Sequence, residues 1–281
     1  MPKLQLSFTR NFPLKKEDLL KVLRTAAEKG ELNKNKERQM EETALGSEKI
    51  GPMMKWSMRC GLLHDRRLTP EGEIAIARDP YLQHLTTDWL MHFYLSFGDR
   101  GLAKPPEHLA DWGGWTYFVY EFLPEHRTFT EGELIHHLSL VFPDDKAPVI
   151  SKNTRFLLRA YYEFYALSGA KFLTLKDKIY HTDQTVQPNP YAIAYLLAKI
   201  WERDYPHDGS ILTESLLNNP MGLAPVLGVR RDRLQAYLDR LESLGIIEQR
   251  RAVPPAQIVR RWQDPLPLLE KAYELDSSSP A

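Results

Sequence analysis

Three side chains with metal-ligand chemistry follow one another at intervals of four residues. They are His84, Asp88 and His92, and an α-helix would place them on consecutive turns of one face. Imidazole and carboxylate groups so arranged can hold a divalent cation such as zinc, which would suit a metal-dependent hydrolase. Three ligands from one helix rarely complete a metal site, and the neighbouring Trp89 and Tyr94 favour an aromatic core. We therefore predict that His92 is a hydrogen-bonded core residue and that the protein holds no metal or other cofactor.

The rest of the sequence offers no other recognisable catalytic motif. It contains no G-x-S-x-G nucleophile motif, no Walker-type phosphate loop and no G-x-G-x-x-G dinucleotide motif. The single cysteine, Cys60, excludes an internal disulfide and a cysteine-based zinc site. Because Cys60 falls at the end of an apolar helical segment, we expect a buried thiol rather than a nucleophile. These observations predict a protein that is not an enzyme.

A second chemistry that the sequence supports is contact with nucleic-acid phosphates, which Lys and Arg make by displacing condensed counterions. Residues 1–67 hold 15 Lys and Arg against 9 Asp and Glu, residues 68–190 hold 11 against 16, and residues 191–281 hold 11 against 12. The whole chain balances 37 basic against 37 acidic residues, so any nucleic-acid footprint must be local. The contacts predicted near the N-terminus are Lys49, Lys55, Arg59, Arg66 and Arg67.

The alternative for this basic stretch is a solvated helix face that docks on protein. Met53, Met54 and Met58 lie within it, and methionines favour packing against an apolar surface. The residues themselves leave both alternatives open.

A second basic group lies towards the C-terminal end. The predicted DNA contacts there are Arg230, Arg231, Arg233, Arg250 and Arg251. Most of the helical ones fall outside the face formed by Leu234, Leu238 and Leu241, and arginine suits bidentate contacts with guanine edges or phosphates. Ion pairing on an exposed helix is the alternative explanation, because acidic residues are interleaved with the arginines. These are Asp232, Asp239, Glu242 and Glu248.

Hydrophobic spacing and capping signals predict the elements that position these side chains. Residues 15–29 show helical spacing that Gly30 ends, a more polar helix follows, and Ser47 begins a third helix. A short hairpin with its turn at residues 65–67 comes next, and Thr69 caps another helix. Helix, helix, turn, helix and hairpin is the order of a winged helix-turn-helix, whose third helix enters the major groove of DNA.

The C-terminal part repeats this plan. A helix follows Pro190, shorter helices come next, and a leucine-rich helix ends at Gly245 before a second hairpin. The middle is helical and rich in aromatic residues, with a capping box at Thr130 and Glu133 and a short hairpin near residues 172–182.

We therefore predict a mainly α fold with small β-hairpins. The predicted domains are a winged helix-turn-helix at 1–78, a helical aromatic-rich middle domain at 79–187, a second winged helix-turn-helix at 188–275 and a disordered tail at 276–281. No apolar run approaches the length of a membrane helix and no signal peptide is evident, so we expect a cytoplasmic protein without membrane contact.

Four motifs between residues 56 and 97 are specific in combination. They are Gly61-Leu62, Leu68-Thr69-Pro70-Glu71-Gly72, Asp79-Pro80-Tyr81-Leu82 and Thr87-Asp88-Trp89-Leu90-Met91-His92. This run resembles the proteins grouped as domain of unknown function 4007, and the segments SFTRNFPLKKEDLLKVL and TFTEGELIHHL extend the resemblance over most of the chain. Many relatives carry an acidic residue after Asp-Pro-Tyr-Leu, whereas this chain has Gln83 and His84, so a role for that acid is not expected here.

The resemblance implies an accessory component of a bacterial DNA-modification or phage-defence system, of the phosphorothioation or bacteriophage-exclusion type. It implies no established chemistry. Together with the basic residues, it predicts a non-enzymatic subunit that binds double-stranded DNA and positions the other subunits of such a complex, which dock on the acidic, aromatic middle. The alternative is an interaction scaffold of the same kind of complex whose winged helices bind protein rather than DNA.

Overall fold

Three segments of the chain share one order of elements, in which helices precede a β-hairpin. The computed structural model describes residues 2–98 and 100–278. The fold is mainly helical with small antiparallel sheets, as the sequence predicts. The helix-and-hairpin order was predicted for both ends, and the middle of the chain adds a third example.

The N-terminal unit contains three helices and a two-stranded hairpin. The helices are α1 (Lys16–Lys29), α2 (Lys36–Thr43) and α3 (Ser47–Arg59), and the strands are β1 (Leu63–His64) and β2 (Arg67–Leu68). Gly30 ends α1 with a φ of 75°, a left-handed conformation that glycine adopts at little cost. The Leu32 N–H donates to the Arg66 carbonyl at 2.9 Å, so a further extended segment lies beside the hairpin. The predicted order of elements at this end is confirmed.

The helix α3 is anchored in the core along one side. Ile50, Met53 and Trp56 are all buried, and the Trp56 indole donates to the Phe12 carbonyl at 3.1 Å. Met58, for which we expected packing, is instead 45% exposed. Trp56 lies in the core because its ring packs edge-on against those of Phe8 and Trp115.

Two helices join the N-terminal unit to the middle of the chain. They are α4 (Pro70–Arg78) and α5 (Leu85–Leu95). Thr69 caps α4 by accepting the Gly72 N–H at 3.0 Å. The carboxylate of Asp79 accepts the N–H groups of Gln83 and His84, each at 2.8 Å, just before α5 begins. Asp79 is therefore a structural carboxylate that orders the turn between the two helices.

The middle unit is a helical segment followed by a three-stranded sheet and two helices. Its elements are α6 (Gly114–Tyr117), a π-helical turn at Phe118–Phe122, α7 (Leu123–Glu125), β3 (Thr128–Thr130), α8 (Glu131–Val141), α9 (Ala147–Tyr162), β4 (Thr174–Lys176) and β5 (Ile179–His181). The strand order is β3-β5-β4. The capping box of Thr130 and Glu133 and the β4–β5 hairpin were predicted and are confirmed. The short strand β3 was not predicted.

The sheet of the C-terminal unit has the same strand order as that of the middle unit, although three helices rather than two separate its first two strands. The unit's elements are α10 (Pro190–Asp204), β6 (Ser210–Leu212), α11 (Thr213–Leu217), α12 (Leu223–Val226), α13 (Arg231–Ser243), β7 (Ile247–Arg250) and β8 (Gln257–Arg260). The strand order β6-β8-β7 again places the last strand between the first and the second. The leucine-rich helix that ends at Gly245, and the hairpin after it, appear as predicted.

A final helix, α14 (Leu266–Ser278), packs against α4, α5 and α10. Its Asp276 carboxylate accepts the Thr86 N–H at 2.7 Å and the Asn189 side-chain amide at 2.8 Å. Residues 276–278, which the sequence assigned to a disordered tail, form the last residues of α14, and these hydrogen bonds fix Asp276 there. Residues 279–281 of that predicted tail lie outside the described residues.

The buried hydrophobic residues form one connected cluster that passes through all three predicted domains. Its largest members include Trp56, Trp89, Trp115 and Trp201. Among the helices that the structure describes, none combines the length and the apolar character needed to cross a bilayer.

Candidate nucleic-acid interface

The helix α13 is the last helix before the hairpin of the C-terminal unit, following α10, α11 and α12, and lies on its surface. Leu234, Leu238 and Leu241 are fully buried and fix the helix to the core along one side. Gly245, with a φ of 70°, turns the chain into the β7–β8 hairpin. Because one side alone is apolar, the remaining circumference of α13 carries polar side chains towards solvent.

One polar side of α13 is tied to the hairpin. The Asp239 carboxylate accepts hydrogen bonds from Gln249 at 3.0 Å and Gln235 at 2.9 Å, and it also pairs with Arg251. Glu242 accepts the Gln249 N–H at 2.6 Å. Hydrogen bonds from Gln249 and Gln235, followed by Arg251, lower the pKa of Asp239. Two of the three acidic residues of α13, Asp239 and Glu242, thus hold the hairpin against the helix.

The opposite polar side of α13 carries unpaired arginines. Arg230, Arg233 and Arg240 are exposed, and within the described residues none of their guanidinium groups has a hydrogen-bond or ion-pair partner. Arg230 is the N-cap of α13, and Arg233 and Arg240 lie seven residues apart on one side of the helix, with the half-buried Tyr237 between them. We call these three residues the α13 arginine face. The α13 arginine face lies on a different side of the helix from the acidic residues that contact the hairpin. The sequence alone did not reveal this separation.

The other C-terminal arginines that we predicted to touch DNA have carboxylate partners. Arg231 pairs with Glu214 and donates to Asn218 at 3.0 Å. Arg250 pairs with Glu248 at 2.9 Å. Arg251 pairs with Asp239, as described above. These contacts are exposed, so they are weak, but they reduce the positive charge that the hairpin presents.

The N-terminal residues that we predicted to touch DNA are mostly engaged within the protein. Lys49 pairs at 2.6 Å with the buried Asp18. Arg66 and Arg67 both bind Glu31, at 2.9 and 2.8 Å, and their hydrogen bonds lower the pKa of Glu31 to about 2. The hairpin of the N-terminal unit is therefore largely neutralised at its turn.

The remaining two N-terminal candidates differ in exposure. Arg59 is 7% exposed, with its guanidinium 3.7 Å from the centre of the Phe8 ring. We remove Arg59 from the interface, because its charge lies against the core rather than at the surface. Lys55 is exposed, and it has no ion-pair partner among the residues that the structure describes.

His84, Asp88 and His92, which are spaced by four residues, each contact different partners. His92 is buried and joins a hydrogen-bonded chain in which the Trp115 indole donates to Tyr161 and the Tyr161 hydroxyl meets His92 Nδ1, both at 2.8 Å. His92 Nε2 lies 2.9 Å from the Val226 carbonyl. Since a carbonyl only accepts, Nε2 carries the proton and Tyr161 donates to Nδ1. His92 is the hydrogen-bonded core histidine that we predicted.

Asp88 and His84 face other partners. Asp88 is 1% exposed, pairs with Lys16 and accepts the backbone N–H groups of Gly169 and Ala170. The His84 ring lies against Tyr273, with 5.9 Å between ring centres. Across residues 2–98 and 100–278, no three His, Cys, Asp or Glu side chains form a group able to hold a metal ion.

Because His92 is buried, we expect the protein to lose a specific amount of stability in acid. Burial lowers its pKa from 6.5 to about 4. A histidine whose pKa is lower in the folded than in the unfolded state contributes stability that is complete above its unfolded pKa. That contribution is lost as the pH falls through the folded pKa. Between neutral pH and about pH 4, we expect this group to cost about 3 kcal/mol of unfolding free energy.

Urea denaturation of the wild type and of His92→Gln across this pH range measures the effect. Glutamine can accept from Tyr161 and donate to Val226 without titrating, so its pH profile should be flatter. His64→Gln, at an exposed position, is the control and should keep the wild-type slope. If the unfolding free energy depended on pH equally in His92→Gln and in the wild type, the lowered pKa assigned to His92 would be contradicted.

Comparisons with known proteins give the fold alone. No family model matches the chain, and no curated protein matches it in sequence. Two solved structures are similar to it: "Magnesium ion-bound SspB crystal structure" and "SspB crystal structure". Each has a TM-score of 0.70 and 18% sequence identity, over 98% of this chain and 89% of the other. The resemblance therefore extends over nearly the whole chain.

Proposed function

We propose that this protein is a non-enzymatic DNA-binding accessory subunit of a bacterial phage-defence or DNA-modification system. It binds double-stranded DNA through its C-terminal unit and positions partner proteins there. The observation that carries the proposal is the α13 arginine face, three exposed arginines without a partner among the described residues, at the N-cap and along the helix that precedes the hairpin. In a winged helix-turn-helix, the recognition helix, which enters the major groove, directly precedes the wing.

The geometry of α13 fits a groove. From Arg233 to Arg240 the helix rises about 10 Å, enough to follow about three successive base pairs, and Arg230 lies at the N-cap just before the helix. Arginine can bind phosphate or guanine edges in a bidentate manner. The hairpin beside α13 is the wing of this interface, and it contributes shape more than charge because Arg250 and Arg251 are paired with acids.

The strength of DNA binding is limited because the α13 arginine face contains only three arginines. Three phosphate contacts give a slope of about −3 for the logarithm of the binding constant against the logarithm of salt concentration. Such a dependence is modest, so stable attachment to DNA would require further subunits. An accessory role within a complex follows from this limit. The cellular context rests on the resemblance to the domain of unknown function 4007 family, with which the fold likeness to SspB is compatible.

A second candidate function is that of a protein-interaction scaffold. The middle unit exposes large apolar side chains, of which Phe164 is the most accessible at 87% and Leu140 is next at 66%. In addition, the basic residues of the N-terminal unit are mostly paired or buried, which suits a helix that packs on protein. In our proposal these surfaces dock the partner subunits, whereas in the alternative they account for the whole function.

Fluorescence anisotropy with a labelled random-sequence duplex across a salt series tests DNA binding. The variant Arg230→Ala/Arg233→Ala/Arg240→Ala should bind at least about a hundredfold more weakly at about 0.1 M salt, with a salt slope reduced by about 3. The matched control, Arg10→Ala/Arg38→Ala/Arg155→Ala, removes the same charge from exposed arginines elsewhere.

The control should retain most of the affinity and of the slope, since its arginines lie away from α13. Equal losses in the two triple variants would mean that binding follows net charge rather than the α13 arginine face. Absence of binding even at low salt would favour the protein-interaction scaffold.

A further inference from the structure

A cavity of about 270 Å³ lies between the middle and the C-terminal units. On one side, the middle unit provides Tyr120 and Leu123 from its helical segment, and Phe172 ahead of β4. On the other side, Ala224 of α12 and the nearby Val229 complete an apolar wall. Its volume is near the lower end of the range of small-molecule sites, and its mostly apolar lining is typical of them.

Two guanidinium groups provide the charge of this cavity. Arg127 and Arg231 line it, and no Asp or Glu is among its described lining residues. Arg127 is exposed and donates to the Gly228 carbonyl at 2.9 Å, and it has no acidic partner within the described residues. Arg231 pairs with Glu214, which lines the neighbouring groove rather than the cavity. The cavity therefore has a net positive charge.

The other polar side chains of the lining are already occupied. Asn219 donates to Asp204 at 2.7 Å and accepts the Met221 N–H at 3.0 Å. Asn218 accepts from Arg231 and donates to Glu214, and Thr182 donates to the Arg127 carbonyl. Few polar groups are left to recognise the edges of a base or the hydroxyls of a sugar. A ligand rich in polar groups would leave them unpaired on burial, which is costly.

We propose that this cavity binds a small amphipathic anion, with an aromatic or branched apolar body and a single carboxylate, sulfonate or phosphate group. The apolar body contacts Tyr120, Phe172 and Val229, where its transfer from water is favourable. The anionic group lies between Arg127 and Arg231, which supply charge-assisted hydrogen bonds. The inference rests on the cavity alone and does not require that the protein bind DNA.

Arg231 connects the bound ligand to the neighbouring helix. It is the first residue of α13, and its guanidinium can pair either with Glu214 or with an anion in the cavity. Since the cavity walls come from two units, a bound molecule also contacts both units at once. Occupancy therefore stabilises one arrangement of the two units relative to any other.

The test uses anilinonaphthalene sulfonate, a fluorescent aromatic anion, and N-phenylnaphthylamine, which has a similar body without the charge. The wild-type protein should bind one molecule of the sulfonate saturably. Arg127→Met/Arg231→Met should weaken sulfonate binding roughly tenfold, because both charge-assisted contacts are lost, and should change binding of the neutral dye less than twofold. Arg155→Met, at an exposed arginine of α9, is the control and should bind both dyes as the wild type does.

A second variant examines the apolar wall. Ala224→Phe fills the cavity and should prevent binding of both dyes, with circular dichroism and thermal unfolding reporting whether the fold is retained. Unchanged sulfonate affinity in Arg127→Met/Arg231→Met would overturn the proposal, and so would equal weakening of both dyes. The titrations contain no DNA, so their outcome is separate from that of the anisotropy experiment.

Discussion

Replacing Lys16 with methionine is expected to lower the free energy of unfolding by about 3–5 kcal/mol, because it leaves the Asp88 carboxylate buried without its cation. Methionine keeps the length and the apolar stem of lysine, so little packing is lost. The hydrogen bonds from Gly169 and Ala170 remain and cannot replace a full charge. Urea denaturation at neutral pH measures the loss.

The pH dependence of this loss identifies its cause. Burial raises the pKa of Asp88, while Lys16 opposes that shift. Without Lys16 the folded-state pKa rises further above the unfolded value. A carboxyl whose folded pKa is raised costs stability above its unfolded pKa and no longer does so when the pH falls below it. The destabilisation of Lys16→Met should therefore be complete at neutral pH and shrink in acid.

Two further variants complete the experiment. Lys15→Met changes the adjacent lysine, which lies over the Tyr165 ring at 5.1 Å, and should cost less than about 1 kcal/mol. Asp88→Asn in the Lys16→Met background removes the unpaired charge and should restore much of the stability. A loss in Lys16→Met no larger than that in Lys15→Met would show that Asp88 does not depend on this ion pair.

Tyr161→Phe is expected to destabilise the protein by about 2–4 kcal/mol although it removes a single oxygen atom. The Tyr161 hydroxyl accepts from Trp115 and donates to His92, so its loss leaves two buried polar groups without partners. Each such group costs about 1–3 kcal/mol. The ring is retained, so no large cavity forms.

The matched control is Tyr162→Phe, the neighbouring residue on α9. Tyr162 is half-buried and its hydroxyl has no hydrogen-bond partner in the described part of the chain, so its loss should be small. Both variants are compared with the wild type by chemical denaturation at pH 7. Similar stabilities for the two variants would mean that the Trp115–Tyr161–His92 chain contributes little.

The elements at the two ends of the chain were predictable because their signals are local. Helical spacing of apolar residues, the Thr69 cap and the glycines after α1 and α13 all act within a few residues of the structure they specify. The third unit in the middle was missed because β3 is a three-residue strand defined by its pairing with β5, which lies far along the chain. Three residues carry too little pattern to indicate a strand without that partner.

For the charged side chains, too, the sequence did not reveal contacts between residues far apart in the chain. Helical spacing alone indicated that Arg230 and Arg233 lie off the leucine face of α13. The partners of Arg66 and Arg231 lie 35 and 17 residues away, so sequence spacing could not indicate that these charges are paired. The burial of Arg59 against Phe8 likewise depends on contacts between distant segments.

The hydrogen bond between Asp276 and Thr86 has a consequence for biosynthesis. It joins residues 190 positions apart, and α14 also covers α4, α5 and α10. At about 5–20 residues per second, a ribosome needs roughly 10–40 s to synthesise the intervening chain. During that interval α5, whose surface is largely apolar, lacks the helix that covers it. Part of the apolar surface of α5 therefore stays uncovered in the nascent chain until residues 266–278 have been synthesised.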